Sequence, residues 1–176
     1  MAGTGTAHLR EDQEDLVLRV EHMVVEQAPR AFELRADLVS ILVGGNDLAG
    51  ERVDPDALAA RVEAGVAAVR ASGADVLLAT CFDPRFSLKP LRGRAAAFNA
   101  HLWSIARKHE TFTLDLWGMR ELHNGGMWAQ DRIHLAPAGH RLLASRAAHA
   151  LGIPYFELAA PIAPPLVDLV AVVGRR

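Results

Sequence analysis

The chain has 176 residues, 51% of them hydrophobic and 23% charged, with a formal net charge of −2. A domain of this length buries about two-thirds of the surface its unfolded form exposes, and the near-neutral balance, with no basic stripe, argues against nucleic acid as a partner. The single cysteine, Cys81, excludes an internal disulfide and fits a reducing compartment.

In chain order, residues 1–11 are small and polar and predict a disordered segment with no apolar core of the kind secretion needs. From about Asp12 to Gln27, the spacing of Leu16, Val20, Met23, Val24 and Gln27 predicts an amphipathic helix. Pro29 is expected to interrupt it, with a short turn from Arg30 to Leu34. Residues 37–43 are apolar on both faces, as in a parallel strand covered by helices. Asp54 and Pro55 are a fit N-cap and first residue for a helix that runs to Ser72 and is closed by Gly73.

Asp75 to Thr80 reads as a second buried strand, Leu91 to His109 as a helix with Phe98, Leu102, Ile105 and Ala106 on one face, and Thr111 to Leu116 as a third strand. A glycine- and asparagine-rich loop, Leu122 to Gln130, leads to Asp131, and Pro137 opens the last helix, which ends near residue 150. The alternation predicts parallel strands joined by right-handed crossovers, in one α/β domain over residues 12–152. Residues 153–176, with Pro154, Pro161, Pro164 and Pro165, read as an extended tail. Within it Leu166 to Val173 suits a strand or a short helix equally; interrupted by Asp168, it is far short of the ~20 residues that span a bilayer. These features predict a cytoplasmic protein without a membrane span.

Two stretches carry chemistry. Asp131-Arg132-Ile133-His134, followed by Leu135-Ala136-Pro137-Ala138-Gly139-His140, sets an acid three residues before a histidine on a loop closed by a helix. A carboxylate there can hold one imidazole nitrogen while the other faces a reacting group. A lone histidine is more often structural, and His140, on the helix, is expected to pack or cap. Gly44-Gly45-Asn46-Asp47 ends the first strand. It suits a tight turn, or a turn that aims the Asn46 amide at an oxygen becoming negative in acyl transfer.

Gly-x-Asn-Asp after a buried strand, followed much later by Asp-x-x-His-Leu-x-Pro-x-Gly-His, resembles the third and last blocks of the SGNH (GDSL-type) esterase and lipase family. Phe82-Asp83-Pro84 and the helix around Asn99 are similar to actinobacterial-type members, and the resemblance covers roughly residues 24–152. It implies a three-layer α/β/α, flavodoxin-like parallel sheet, incomplete at the N-terminus. It also implies His134 as general base, Asp131 as its orienting carboxylate, Asn46 in the oxyanion hole, and Gly44, Gly45 and Asp47 as the supporting turn. The implied substrate is a small ester, with no metal and no cofactor.

The family's Gly-Asp-Ser block is not in this sequence. None of Ser40, Ser72, Ser87, Ser104 and Ser145 follows Gly-Asp, no Gly-x-Ser-x-Gly elbow occurs, and no glycine lies near Val17 where the second block would fall. The nucleophile is therefore expected outside this chain, in a longer protein, or lost in a non-catalytic relative that serves as an interaction module. A missing first strand would leave residues 37–43 with an unpaired apolar edge and predicts self-association through it. A metal site from His123, Asp131, His134 and His140 fits no familiar zinc spacing, and the glycine turn lacks both the dinucleotide fingerprint and the phosphate-loop lysine. An acyl pocket in such a fold is expected from loops 48–54, 83–92 and 117–130. Trp117 and Trp128 are candidates to line it or simply to pack.

Overall fold

The computed structural model describes residues 19–85, 88–154 and 172–173. The first helix, α1, is built of Val20–His22, a π-helical turn Met23–Gln27, and Ala28–Glu33. Pro29 does not end it, contrary to the expectation of a break. The Ala28 N–H reaches five residues back to the Met23 carbonyl. This wider turn comes just where a proline ring would otherwise press on the preceding turn and where its missing N–H would leave a gap in the ladder. The expected disordered segment 1–11 and the start of the helix near Asp12 lie outside the described residues.

Strand β1, Leu38–Ile41, leads through Gly44 into the short helix α2, Gly45–Leu48. Helix α3, Pro55–Ala71, opens as its sequence dictates: Asp54 accepts the Asp56 N–H on its side chain, and Pro55 fills the first turn. Gly73, at φ +89°, reverses the chain behind it. Strand β2, Asp75–Ala79, helix α4, Arg92–Lys108, strand β3, Phe112–Leu114, and helix α5, Pro137–Ala150, follow.

The sheet has the order β3-β2-β1-β4, with β1, β2 and β3 parallel. Its fourth strand is Val172–Val173, antiparallel to β1, with Leu38 opposite Val173 and Val39 opposite Val172. This resolves the strand-or-helix ambiguity for those two residues. The edge on which the expectation of self-association rests is thus paired at two positions and not bare throughout. Residues 155–171 of the expected tail lie outside the described residues.

Alternation along the strands divides the core. Val39, Ile41, Val76 and Leu78 pack with α1, α3 and α4, through Met23, Val62, Val66, Phe98 and Leu102. Leu77, Ala79 and Leu114 face the other way, against Leu143 of α5 and the Leu116–Leu122 loop. The result is the expected helix–sheet–helix sandwich. Six buried residues on each of α3 and α4 face this first layer. On the solvent side the two helices are clasped by His101 on Asp56 and by Lys108 and His109 on Glu63.

Candidate active site

The carboxyl ends of the parallel strands carry the site, where α/β sheets collect their functional loops. At the end of β1, Gly44 has φ +96°, and a Cβ there would lie 2.5 Å from Cε1 of Phe98. Only glycine meets both conditions. The turn starts α2, where Gly44 O accepts the Leu48 N–H at 2.9 Å. The Asp47 carboxylate reaches out of the turn, accepts the Val20 N–H at 3.1 Å and ties the turn to the start of α1. Asn46 projects from the same turn.

At the end of β2, the buried Asn99 of α4 clamps the chain. Its carbonyl accepts the Cys81 N–H at 2.8 Å and its amide donates to the Cys81 carbonyl at 3.1 Å. The resemblance pointed to Asn99 without saying what it does; a buried amide on an otherwise apolar helix face is the signal for such a clamp. Cys81 itself is no substitute for a missing serine, because burial, with a smaller contribution from the Asp47 charge, pushes its thiol up to about 12. Beside it, burial alone would raise the Asp83 carboxyl, but Arg92 and Arg85 outweigh that and hold it below its ordinary value. Arg92 in turn lies over the Trp117 ring, 5.3 Å from its centre.

The third piece is the loop before α5. A short antiparallel clasp closes it: Trp128 bridges Leu135, Ala129 donates to the His134 carbonyl at 2.8 Å, and Ala136 donates to the Met127 carbonyl at 2.8 Å. Gly139, in the first turn of α5, presses so closely on the Met127 carbonyl that a side chain there would collide with it. The glycine of the Pro-x-Gly-His sequence thus lets the helix seat against the loop that carries the histidine. Arg132 turns the corner with φ +59°, and its guanidinium donates to the Gly125 carbonyl at 2.8 Å.

That corner folds Asp131 back on its own loop. One carboxylate oxygen accepts the backbone N–H groups of Ile133 and His134, at 2.9 and 3.0 Å. The other lies 2.7 Å from Nδ1 of His134. The hydrogen bond from the imidazole, followed by those from the two backbone N–H groups, holds the Asp131 carboxyl well below the usual carboxylate range. An ionised carboxylate only accepts, so in the neutral imidazole the proton sits on Nδ1 and Nε2 presents a lone pair. The ring is 78% exposed and so free to meet a substrate.

His134 and Asn46, with Gly44 and Gly45, line one cavity of about 750 Å³. Its walls include β1, α1 and Cys81 to Pro84, with Leu122, Trp128 and Ile133 from the last loop. Trp128 lines it, edge-on to Phe82 with ring centres 5.3 Å apart, whereas Trp117 packs against the core. The loops expected to form the pocket therefore contribute only in part: from 48–54 only Leu48 lines it, and the strand and first helix supply walls that loop lengths did not suggest.

No serine stands in the nucleophile's place among the described residues. Ser40, in the middle of β1, has a buried hydroxyl without a hydrogen-bond partner, so no base activates it. The hydroxyls of Ser72 and Ser104 are spent on the Val69 and Ala100 carbonyls of their own helices. Among the described residues, no group of three or more His, Cys, Asp or Glu side chains is arranged to hold a metal ion, and no helix is long and apolar enough to cross a membrane. His140 sits in the first turn of α5, its N–H on the Ala136 carbonyl at 3.0 Å.

The site thus joins a carboxylate-held histidine after the last parallel strand to an Asn turn after the first. The model of the GDSL-like Lipase/Acylhydrolase family matches residues 3–142, and the chain belongs to that family. The matched span starts well before residue 24, where the resemblance in the sequence begins. No curated protein matches the chain. Among solved structures it is similar to the acetylxylan esterase Axe2 from Geobacillus stearothermophilus, at 21% identity over 80% of this chain and 69% of that one, with a TM-score of 0.68. A GDSL-like lipase from Parabacteroides merdae is 16% identical over 77% of this chain and 69% of its own, with a TM-score of 0.68. TesA is 21% identical over 82% of this chain and 85% of its own, with a TM-score of 0.63. At these identities the likeness is one of fold.

Proposed function

We propose that this chain carries the base and the oxyanion half of a carboxylic-ester hydrolase acting on a small-molecule ester. The observation that supports it is the Asp131–His134 pair, 2.7 Å apart, with its imidazole on the same cavity as Asn46. In that reading a serine hydroxyl attacks the acyl carbonyl while His134 Nε2 takes its proton, and Asp131 stabilises the imidazolium that forms. The side-chain N–H of Asn46 donates to the oxygen that becomes negative, a contact of the kind worth about 3 kcal/mol of barrier. His134 then gives its proton to the leaving alcohol, takes one from water, and the acyl-enzyme is hydrolysed.

The attacking serine is not one of those in residues 1–176, so the chain alone turns over little or no ester. The test is an assay of the purified chain on a short-chain aryl ester beside His134→Ala. Equal, background-level rates are expected; turnover lost in His134→Ala would show that the chain holds a nucleophile of its own. The second reading, a non-catalytic interaction module, draws on the same missing serine. The coding DNA upstream of Met1 separates the two: a Gly-Asp-Ser after an apolar strand favours the enzyme, and its absence favours the module.

A further inference from the structure

We propose that the site selects esters that carry a free carboxylate, and that Arg85 and Arg92 at the cavity rim are the residues that bind it. This rests on the acyl-hydrolase reading above and adds a substrate class and two specificity residues to it. Pro84 and Leu91 line the cavity that holds His134 and Asn46, and Arg85 and Arg92 directly follow them in the chain. Both guanidiniums close on the carboxylate of Asp83, the cavity's one acidic lining residue among the described residues.

The Asp83 side chain is only 2% exposed, whereas those of Arg85 and Arg92 are 43% and 48% exposed. Asp83 accepts Nε–H of Arg85 at 2.8 Å and Nε–H of Arg92 at 2.8 Å, and one terminal nitrogen of each guanidinium also reaches it. That grip fixes both forks and leaves the two N–H donors on each Nη1 unused by Asp83. Arg92 is steadied further by the Trp117 ring beneath it. Two guanidiniums on one carboxylate leave one positive charge uncompensated, the complement of a monoanion, and their planar forks match a carboxylate. The surroundings add to this charge. Although the chain is acidic overall, residues 85–94 hold four cations and no acid, and Arg19 and Arg132 line the same cavity. Such a concentration of like charge raises the local potential for an anionic ligand.

With no nucleophile of its own, the chain can be titrated with an ester that it does not consume. The test is a nitrogen-15 NMR titration of the full 176-residue chain with monomethyl succinate and with its neutral counterpart, dimethyl succinate, at pH 7. The half-ester is expected to bind saturably and about tenfold tighter than the diester. The Nε–H signals of Arg85 and Arg92 and the His134 imidazole signals should move together. Arg85→Gln and Arg92→Gln should each weaken the half-ester by about tenfold and leave the diester unchanged. Lys108→Gln removes the same charge at the far end of α4, about 24 Å from Arg92, and should change neither.

No saturable binding of the half-ester, equal affinity for the two esters, arginine signals that stay still, or a Lys108→Gln effect as large as those of the rim variants would overturn the proposal. The first three outcomes need no variant, so they decide even where a rim variant fails to fold. Equal affinities would remove the carboxylate preference and leave the acyl-hydrolase reading intact, since that reading is tested by the upstream coding sequence and the role of His134.

Discussion

Asp131 holds His134 at two points, the imidazole Nδ1 with one carboxylate oxygen and the backbone N–H with the other. The grip fixes both where the ring sits and which nitrogen carries the proton. In Asp131→Asn the backbone contact can survive through the amide oxygen, but an NH2 group now faces Nδ1. The neutral ring is expected to move its proton to Nε2, the nitrogen that must be a base. Nitrogen-15 NMR of the imidazole reads this directly; an unchanged Nδ1–H tautomer in the variant would contradict the orienting role.

The same grip makes stability depend on pH. The folded-state Asp131 carboxyl is held below its unfolded value of about 3.9. Its contribution is therefore fully present above that value and is lost as pH falls toward the lower folded one. Asp131→Ala should lower the urea midpoint at pH 7, and the gap from the parent should narrow steadily below pH 4. A gap that widens on acidification would reverse the sign and reject the assignment.

Gly44→Ala should be among the most damaging single-methyl additions in the chain. The left-handed backbone costs about 1–2 kcal/mol, and crowding against Phe98 adds about 1–3 kcal/mol. Because the clash is with one ring, Phe98→Ala in the same chain should cost less than the two changes summed, which a double-mutant cycle in urea measures. Simple additivity would mean that the ring is not what excludes the methyl.

Asn99→Ala leaves the buried Cys81 N–H and carbonyl without their partner. A loss of about 2–4 kcal/mol is expected from the two unsatisfied groups. Hydrogen exchange should show the Cys81 amide deprotected more than the amides of β1. Uniform loss of protection across the sheet would point to general unfolding and not to a local clamp.

What could be seen in the sequence was what is local. Asp54-Pro55 and Gly73 bracket α3 because a cap, a fixed φ and a left-handed stop act on neighbouring residues. Asp131 and His134 were legible for the same reason, since three residues span the whole interaction. Contacts that join distant residues were not. Nothing near Pro29 announces the π-helical turn that carries α1 past it. Nothing near Val172 announces a partner at Val39. The glycines of the two motifs became intelligible only with their neighbours in place, Phe98 beside Gly44 and the Met127 carbonyl beside Gly139.

The central claim is that the Asn46 amide and the His134 imidazole, which line one cavity, act on the same reacting centre. A nitroxide attached in His134→Cys, with the buried Cys81 thiol left untouched, tests it by paramagnetic broadening in the nitrogen-15 spectrum. The account predicts that the Asn46 side-chain amide resonance is lost with the oxidised label and restored on its reduction, while the solvent-facing amides of α3 are unaffected. An Asn46 resonance as sharp with the oxidised label as with the reduced one would contradict it.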